Sequence, residues 1–245
     1  MVKGFYTAGS GMLSSARKLD IIGSNIANTR TAGYKREGVI TSAFRDKLVV
    51  KIDGLSDPAV SNLGNVNPGQ FIDSTYIDFE QGALNKTDNP LDLAIEGKGF
   101  FTLQTNAGAM YTRNGSFSID ADGYVTNANG GRLMGTNGPV NTGGAGFTVD
   151  ENGGVYISER RINTLAIYSP ANPETMVKQS EGLLTGGGAR LPFTGNVRQG
   201  YTETSNVSMI KEMMEMISSQ RSFQSNSQVV KIIDETLDKA AEIVK

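Results

Sequence analysis

The sequence predicts an α+β fold in which long N- and C-terminal α-helices form a coiled-coil-like pair and an all-β domain is inserted between them. Three observations support this prediction. Apolar residues recur every three or four positions at both ends of the 245-residue chain, short β-type runs fill its middle, and 30 glycines supply turns between those runs.

The N-terminal helix is predicted at residues 5–29. Its apolar or small residues alternate between spacings of three and four, as in a coiled-coil seam, and they are Phe5, Ala8, Met12, Ser15, Leu19, Ile22 and Ile26. The helix should end before Gly33, because a glycine there supplies the positive φ angle with which many helices finish. The pattern therefore predicts one packing face along this helix.

The C-terminal helix is predicted to begin at Ser205 or Asn206, either of which can cap it, with Glu212 in the first turn, where the helix dipole favours an acid. Its seam is Met209, Met213, Met216, Gln220, Phe223, Ser227, Val230, Asp234, Leu237, Ala241 and Val244. Roughly 38 helical residues would extend about 57 Å. The polar residues in this seam disfavour an isolated two-helix zipper and suit a wall of several helices.

The middle of the chain changes character twice. Residues 31–80 are polar and without clear periodicity, with turn formers such as Asp57-Pro58, and are predicted to be an extended linker region. Residues 81–204 are predicted to be a β-rich domain with strands at 91–95, 99–104, 110–112, 116–119, 124–127, 147–149, 155–158 and 165–168. Hairpin turns are expected at Asp122-Gly123, Asn129-Gly130-Gly131, Asn137-Gly138 and Asn152-Gly153-Gly154.

Composition argues against several function classes. The chain has no cysteine and no histidine, so disulfides, thiolate metal sites and histidine-based catalysis are not expected. With 23 Lys+Arg against 25 Asp+Glu it lacks the basic excess of nucleic-acid-binding proteins. No apolar run is long enough to cross a bilayer. We therefore expect no enzyme activity, no catalytic residue, no cofactor, no metal, no nucleic acid and no membrane insertion.

The two apolar seams need a partner. The ordinary interpretation is an intramolecular helical hairpin, and the alternative is assembly of several copies through residues 1–30 and 205–245, the terminal helical assembly domain.

Four stretches then point to a family. They are Ser24 to Arg36 (SNIANTRTAGYKR), Asn89 to Phe101 (NPLDLAIEGKGFF), Tyr111 to Gly135, and Gln199 to Lys231. In this order they resemble the signatures of the axial proteins of the bacterial flagellum, which are the rod, hook and hook-associated subunits. Phe223 stands where many relatives have tyrosine.

The resemblance implies a structural subunit of the basal-body rod that self-assembles into a helical tube and transmits torque from motor to hook. It implies export through the flagellar type III apparatus without a cleaved signal, and a location in the basal body outside the cytoplasmic membrane. The expected partners are copies of itself, other rod and hook subunits, the export apparatus and the surrounding ring proteins. The opening of the chain resembles the distal-rod branch, and a hook or proximal-rod paralogue is the alternative.

The residues expected at subunit interfaces lie on the two helices and at the exit of the first one. They are Phe5, Met12, Leu19, Asn25, Asn28, Thr31, Gly33, Tyr34, Met213, Met216, Ile217, Gln220, Arg221, Phe223, Val230 and Leu237. Local capping of the helix end is the alternative for the Asn and Thr residues, and core packing is the alternative for Phe223 and the methionines. Competing functions are a secreted β-rich adhesion module on a helical stalk and an enzyme acting on cell-wall glycans.

Overall fold

The computed structural model describes residues 2–53, 59–180 and 182–243. The fold is α+β, with a helix at each end and a large β domain between them in the chain. The predicted turn Asp57-Pro58 and the last predicted seam residue, Val244, lie outside the described residues. The chain divides into two compact units. The first unit contains the described parts of 1–26, 37–76 and 209–245, and the second contains 27–36 and 77–208.

The first unit contains both helices, α1 (Val2–Ala27), of which the last residue belongs to the second unit, and α2 (Met209–Ile243). The prediction of a long helix at each end is confirmed, with α1 beginning three residues earlier than expected. Glu212 lies in the first turn of α2, as predicted. The predicted cap at Asn206 is wrong, because its Oδ1 accepts a hydrogen bond from the Arg36 backbone N–H at 2.7 Å.

The two helices are antiparallel neighbours. A Cβ atom on Gly4 would lie 3.5 Å from Cδ1 of Ile233, and one on Gly11 would lie 2.7 Å from Nδ2 of Asn226. Toward the end of α1, Nζ of Lys18 lies 3.7 Å from Oε2 of Glu215. Residue numbers rise along α1 as they fall along α2, so the helices run in opposite directions.

Four strands complete the first unit: β1 (Glu37–Ala43), β2 (Lys47–Asp53), β3 (Ala59–Val66) and β4 (Gln70–Ile77), of which the last residue belongs to the second unit. β1 pairs with β4, and β2 pairs with β3 in an antiparallel hairpin. They lie in the segment predicted as an extended linker. Every side chain of β4 is exposed or half-buried. A strand without a buried face has no reason to alternate apolar and polar residues, so the sequence did not indicate it.

The second unit is built from short antiparallel strands. They are β5 (Leu84–Lys86), β6 (Leu93–Glu96), β7 (Phe100–Thr105), β8 (Gly108–Thr112), β9 (Phe117–Ile119), β10 (Val125–Asn127), β11 (Arg132–Gly135), β12 (Gly138–Pro139), β13 (Thr148–Val149), β14 (Gly154–Ile157), β15 (Arg160–Thr164), β16 (Ile167–Pro170), β17 (Val177–Ser180), β18 (Leu183–Thr185), β19 (Arg190–Leu191), β20 (Asn196–Gln199) and β21 (Tyr201–Glu203). A 3-10 turn, Pro173–Thr175, precedes β17. All eight predicted strands are confirmed, as β6–β10, β13, β14 and β16.

The largest sheet has the order β17-β18-β8-β7-β11-β10-β9, with β12, β16 and β19 attached to it. β13, β14 and β15 form a second sheet, and β6 pairs with β20 and β5 with β21. The buried core lies among these strands and includes Leu93, Phe101, Leu103, Leu133, Val155 and Val197.

The predicted hairpin turns are confirmed. Between β9 and β10, Gly123 has a φ angle of 83°. Oδ1 of Asp120 accepts the backbone N–H groups of Asp122 and Tyr124 at 2.9 and 2.8 Å. The Asp120 carboxylate therefore stabilises this turn.

Candidate assembly surface

The outward face of α2 carries large apolar side chains near its start. Ile210, Met213, Met214 and Ile217 are 74%, 50%, 59% and 51% exposed. At about 100° per residue they lie on one side of the helix. Arg221, also exposed, follows on the same side one turn later. We call Ile210, Met213, Met214 and Ile217 the outer stripe.

The inner face of α2 is a mixed surface. Glu212 and Ser219 are buried, and the half-buried residues on the same side are Met216, Phe223, Asn226, Val230 and Ile233. Their spacing alternates between four and three, so a seam exists, but polar residues occupy two of its most buried positions. Of the predicted interface residues, Met216, Phe223 and Val230 therefore lie on the inner face. Met213, Gln220 and Leu237 are exposed.

The predicted interface residues of α1 also divide into exposed and half-buried positions. Phe5 is 48% exposed, whereas Met12 and Leu19 are half-buried. Two small residues of α1, Gly4 and Gly11, lie against Ile233 and Asn226 of α2. A glycine allows close backbone approach and contributes no side chain of its own to the contact.

Asn25 joins three segments of the first unit. Its side chain is fully buried, its Nδ2 donates to the Glu37 carbonyl at 2.8 Å and to Oε2 of Glu212 at 3.1 Å, and its Oδ1 accepts the Glu37 N–H at 3.0 Å. The amide thus pairs with the backbone of β1 as a neighbouring strand would. This is a long-range contact, and local capping does not describe it.

Residues 28–36, which directly follow α1, belong to the second unit. Asn28 and Thr31 bond to each other, with Thr31 Oγ1 donating to Asn28 Oδ1 at 3.1 Å, which is the local turn considered as the alternative. Gly33 has a φ angle of 68°, and its N–H donates to the Glu203 carbonyl at 2.8 Å. A Cβ at Gly33 would lie 2.2 Å from the carbonyl carbon of Arg113. Only glycine fits this position without a backbone shift.

Tyr34 is buried, with 2% exposure. The Nζ of Lys178 lies 4.6 Å from the centre of its ring and donates to its Oη at 3.2 Å. Tyr34 therefore contributes to the packing of the second unit through a cation-π contact and a hydrogen bond.

A cluster of buried charges lies beside it. The Glu203 side chain is fully buried, and its Oε1 accepts from Nζ of Lys35 at 2.6 Å and from the Gly82 N–H at 3.0 Å. Its Oε2 accepts from NH1 of Arg113 at 2.9 Å. We call Lys35, Arg113 and Glu203 the charge cluster.

The charge cluster contains two cations and one carboxylate, and backbone carbonyls accept further hydrogen bonds from both cations. Lys35 Nζ also donates to the Glu80 carbonyl at 2.6 Å, and Arg113 NH2 donates to the Gly97 carbonyl at 2.5 Å. Burial lowers the pKa of Lys35, while the charge of Glu203 opposes that change. Burial lowers the pKa of Arg113 in the same way. Two cations and one carboxylate share this site, so Glu203 is the group on which both depend.

Sequence reasoning did not select the charge cluster as a site. Its members lie far apart in the chain, and no spacing rule connects them. One signal was available, since each lies in one of the quoted stretches next to an aromatic or β-type run. A charge in such a place is more often buried and paired than a charge in a polar loop.

Other kinds of site are not found in the described part of the chain. No group of three or more acidic side chains there is arranged to hold a metal ion. Neither α1 nor α2, over its described residues, has an apolar stretch that could cross a membrane.

Three family models match the chain. The model described as flagella basal body rod protein matches residues 5–35, the flagellar hook protein FlgE/F/G D1 domain matches 94–157, and the flagellar basal body rod FlgEFG protein C-terminal region matches 198–243. Each matched region contributes one member of the charge cluster.

Curated relatives match over almost their whole length. The chain is 33% identical to the flagellar basal-body rod protein FlgG of Bacillus subtilis, over 99% of each chain. It is 30% identical to the flagellar basal-body rod protein FlgF of Caulobacter vibrioides, over 100% of this chain and 98% of the relative. It is 31% identical to the flagellar hook-basal body complex protein FlhO of Bacillus subtilis, over 98% of each. This chain therefore belongs to the family of flagellar basal-body rod proteins, which are structural components of the basal body.

Proposed function

We propose that the protein is a rod subunit that self-assembles through its terminal helices into a helical tube and transmits torque from the motor to the hook. The outer stripe carries this proposal. Burial of a large apolar side chain contributes about 1.5–3 kcal/mol, so burial of the remaining exposed halves of these four side chains would contribute roughly 3–6 kcal/mol per copy. A monomer leaves this surface exposed and gains no hydrophobic stabilisation from it, whereas a polymer would bury it.

The functional division of the chain is part of the proposal. Residues 1–30 and 205–245 form the assembly domain, 31–80 connect it, and 81–204 form the β-rich domain. In the tube, α1 and α2 pair in a coiled-coil-like manner with each other and with neighbours. The predicted interface residues divide into outward contacts, such as Phe5, Met213 and Ile217, and inner positions that orient them, such as Met216, Phe223 and Val230.

Family membership implies assembly with other rod and hook subunits. We further propose passage through the flagellar export apparatus and contact with the surrounding ring proteins. A chain without cysteine forms no disulfide that would hinder export in an unfolded state. A second candidate is another position in the axial structure, and the 30% identity to a protein named FlgF favours it.

The test is complementation of a strain that lacks the gene. The wild-type gene should restore complete basal bodies and motility. Ile217→Asp should fold but fail to restore them, because an exposed side chain contributes little to the monomer and a charge cannot be buried in the tube.

Two matched controls separate charge from position. Ile217→Leu keeps the apolar surface, and Asn106→Asp adds the same charge in an exposed turn of the second unit. Both should restore motility. Complete basal bodies in the deletion strain, or normal assembly of Ile217→Asp, would show that the proposal is wrong.

A further inference from the structure

The end of α2 extends past the start of α1. Gly4 lies opposite Ile233, so in the antiparallel pair the first residue of α1 is level with Glu235. Residues 236–243, about two turns, continue beyond it. Leu237 follows Ile233 by one turn on the same side of α2, and it is 47% exposed because α1 no longer covers that side.

This end of α2 has charges that its own helix disfavours. Among residues 234–243, Asp234, Glu235, Asp238 and Glu242 accompany a single lysine, Lys239, and the last described turn has no basic residue. The C-terminus of a helix carries partial negative charge, so acids there are destabilising. A local conflict of this kind is expected where a partner resolves it.

The first unit also has a surface of the opposite character. A groove of about 700 Å³ lies between the first three turns of α1 and the base of the β2–β3 hairpin. Tyr6 and Leu13, both 68% exposed, and Phe44, 42% exposed, are among its lining residues.

The rim of this groove is positive. Lys3 and Lys47 line it, and the first turn of α1 has no acidic residue to offset the positive end of the helix dipole. Tyr6 and Leu13 follow Gly4 and Gly11 by two positions each. They therefore lie on the side of α1 roughly opposite α2, since each residue turns the helix by about 100°.

We infer that residues 234–243 of one copy bind in this groove of a second copy, with Leu237 against Tyr6 and Leu13 and the acids beside Lys3 and Lys47. The inference deepens the proposed function and rests on it. A groove and a helix end are different surfaces, so the contact is heterologous and each copy leaves one of each open. Such a contact propagates a helical polymer and does not close a dimer.

Cysteine cross-linking tests this contact cleanly because the chain has no cysteine of its own. Leu13→Cys and Leu237→Cys are produced together, each as a single-cysteine chain, in the strain lacking the gene. Basal bodies are isolated, oxidised and analysed on a non-reducing gel. A disulfide-linked dimer should form from this pair. It should be absent with either variant alone, and with Leu13→Cys plus Asn106→Cys, because Asn106 lies in an exposed turn of the second unit, outside the proposed assembly domain.

The outcomes are distinct. Normal basal bodies without the mixed dimer overturn the inference and leave the proposed function intact. Complete basal bodies in the deletion strain overturn the proposed function and the inference together.

If the cysteine variants do not assemble, a charge-reversal experiment tests the same contact. Lys3→Glu with Lys47→Glu should reduce assembly at least tenfold, and adding Asp234→Lys and Asp238→Lys should restore it. Failure of the reversed pair to restore assembly overturns the inference.

Discussion

Glu203→Gln is the substitution that most directly tests the role of the charge cluster. Glutamine has nearly the shape of glutamate, so the packing of the second unit is kept and the negative charge is lost. Lys35 and Arg113 then remain buried without their shared counterion, with their side chains only 5% exposed. Glutamine also cannot accept with both side-chain ends, so one of the donors of Lys35, Gly82 and Arg113 loses its acceptor.

The expected effect is large. Removing one partner from a buried ion pair costs about 3–5 kcal/mol, and here one carboxylate serves two cations. For a chain of this size each kcal/mol lowers the melting temperature by roughly 2–4 °C, so the second unit should melt about 6–20 °C lower.

The dependence on pH follows from Lys35. Burial lowers its pKa from the ordinary value of 10.5, and Glu203 is the largest influence that raises it. In Glu203→Gln the pKa of Lys35 should fall further. Between the folded and unfolded pKa values the unfolded state binds more protons, so stability rises with pH in that window. The loss caused by Glu203→Gln should therefore shrink as the pH rises toward 10.5, because Lys35 becomes neutral.

The assay is thermal unfolding followed by near-ultraviolet circular dichroism at several pH values. Glu96→Gln is the control, since it removes the carboxylate of an ion pair with Arg198 in which both side chains are nearly half exposed. The control should change the melting temperature little. A Glu203→Gln variant as stable as the control, or one whose deficit grows with pH, would refute this account of the cluster.

Three further predictions follow from other positions. Gly33→Ala should destabilise the second unit by more than the roughly 1–2 kcal/mol of positive-φ strain, because its Cβ meets the Arg113 backbone. Gly130→Ala, with φ of 74° and open space around it, measures the strain alone in the same unfolding assay. Asn25→Leu should lower the stability of the first unit by about 1–3 kcal/mol for each buried partner left unsatisfied, measured by denaturant unfolding, whereas Asn28→Leu should have a smaller effect. Circular dichroism should show less helix per chain in the monomer than in assembled tubes, and equal helix content in both would contradict coupling between ordering and assembly.

The regular parts of this fold were accessible from sequence, and the reasons are physical. The helices have seams with a period near 3.6, and the strands of the second unit have a buried face and glycine turns, so both leave a pattern. The helix ends at Val2 and Met209 differ from prediction by a few residues, because caps and nearby polar groups compete for the same backbone. Asn206 illustrates this competition, since its side chain bonds to Arg36 and does not cap α2.

The missed features depend on contacts between distant residues. β1 and β4 have little buried face and so carry no periodic signal. Glu203 meets Lys35 and Arg113 only after the chain has folded, and a single sequence gives no measure of that proximity. The predicted seam of α2 included Met213 and Gln220, which are exposed, whereas Glu212 and Ser219 are buried on the inner face. Asn25 donates a hydrogen bond to the buried Glu212 carboxylate, a contact that no pattern of hydrophobicity reveals.

On α2 the most buried side chains are polar and several large apolar side chains are exposed, which is the opposite of the usual distribution in a globular protein. Toward α1 the helix presents the buried polar residues Glu212 and Ser219 among half-buried apolar residues such as Met216, Phe223 and Val230. Asn25 of α1 donates a hydrogen bond to Glu212, and the apolar residues of this face are only partly buried. The large apolar side chains of the outer stripe face away from it. A neighbour that covered that stripe would add the burial of four large apolar side chains to the partial burial of the inner face, and this added burial is the driving force on which the proposed assembly rests.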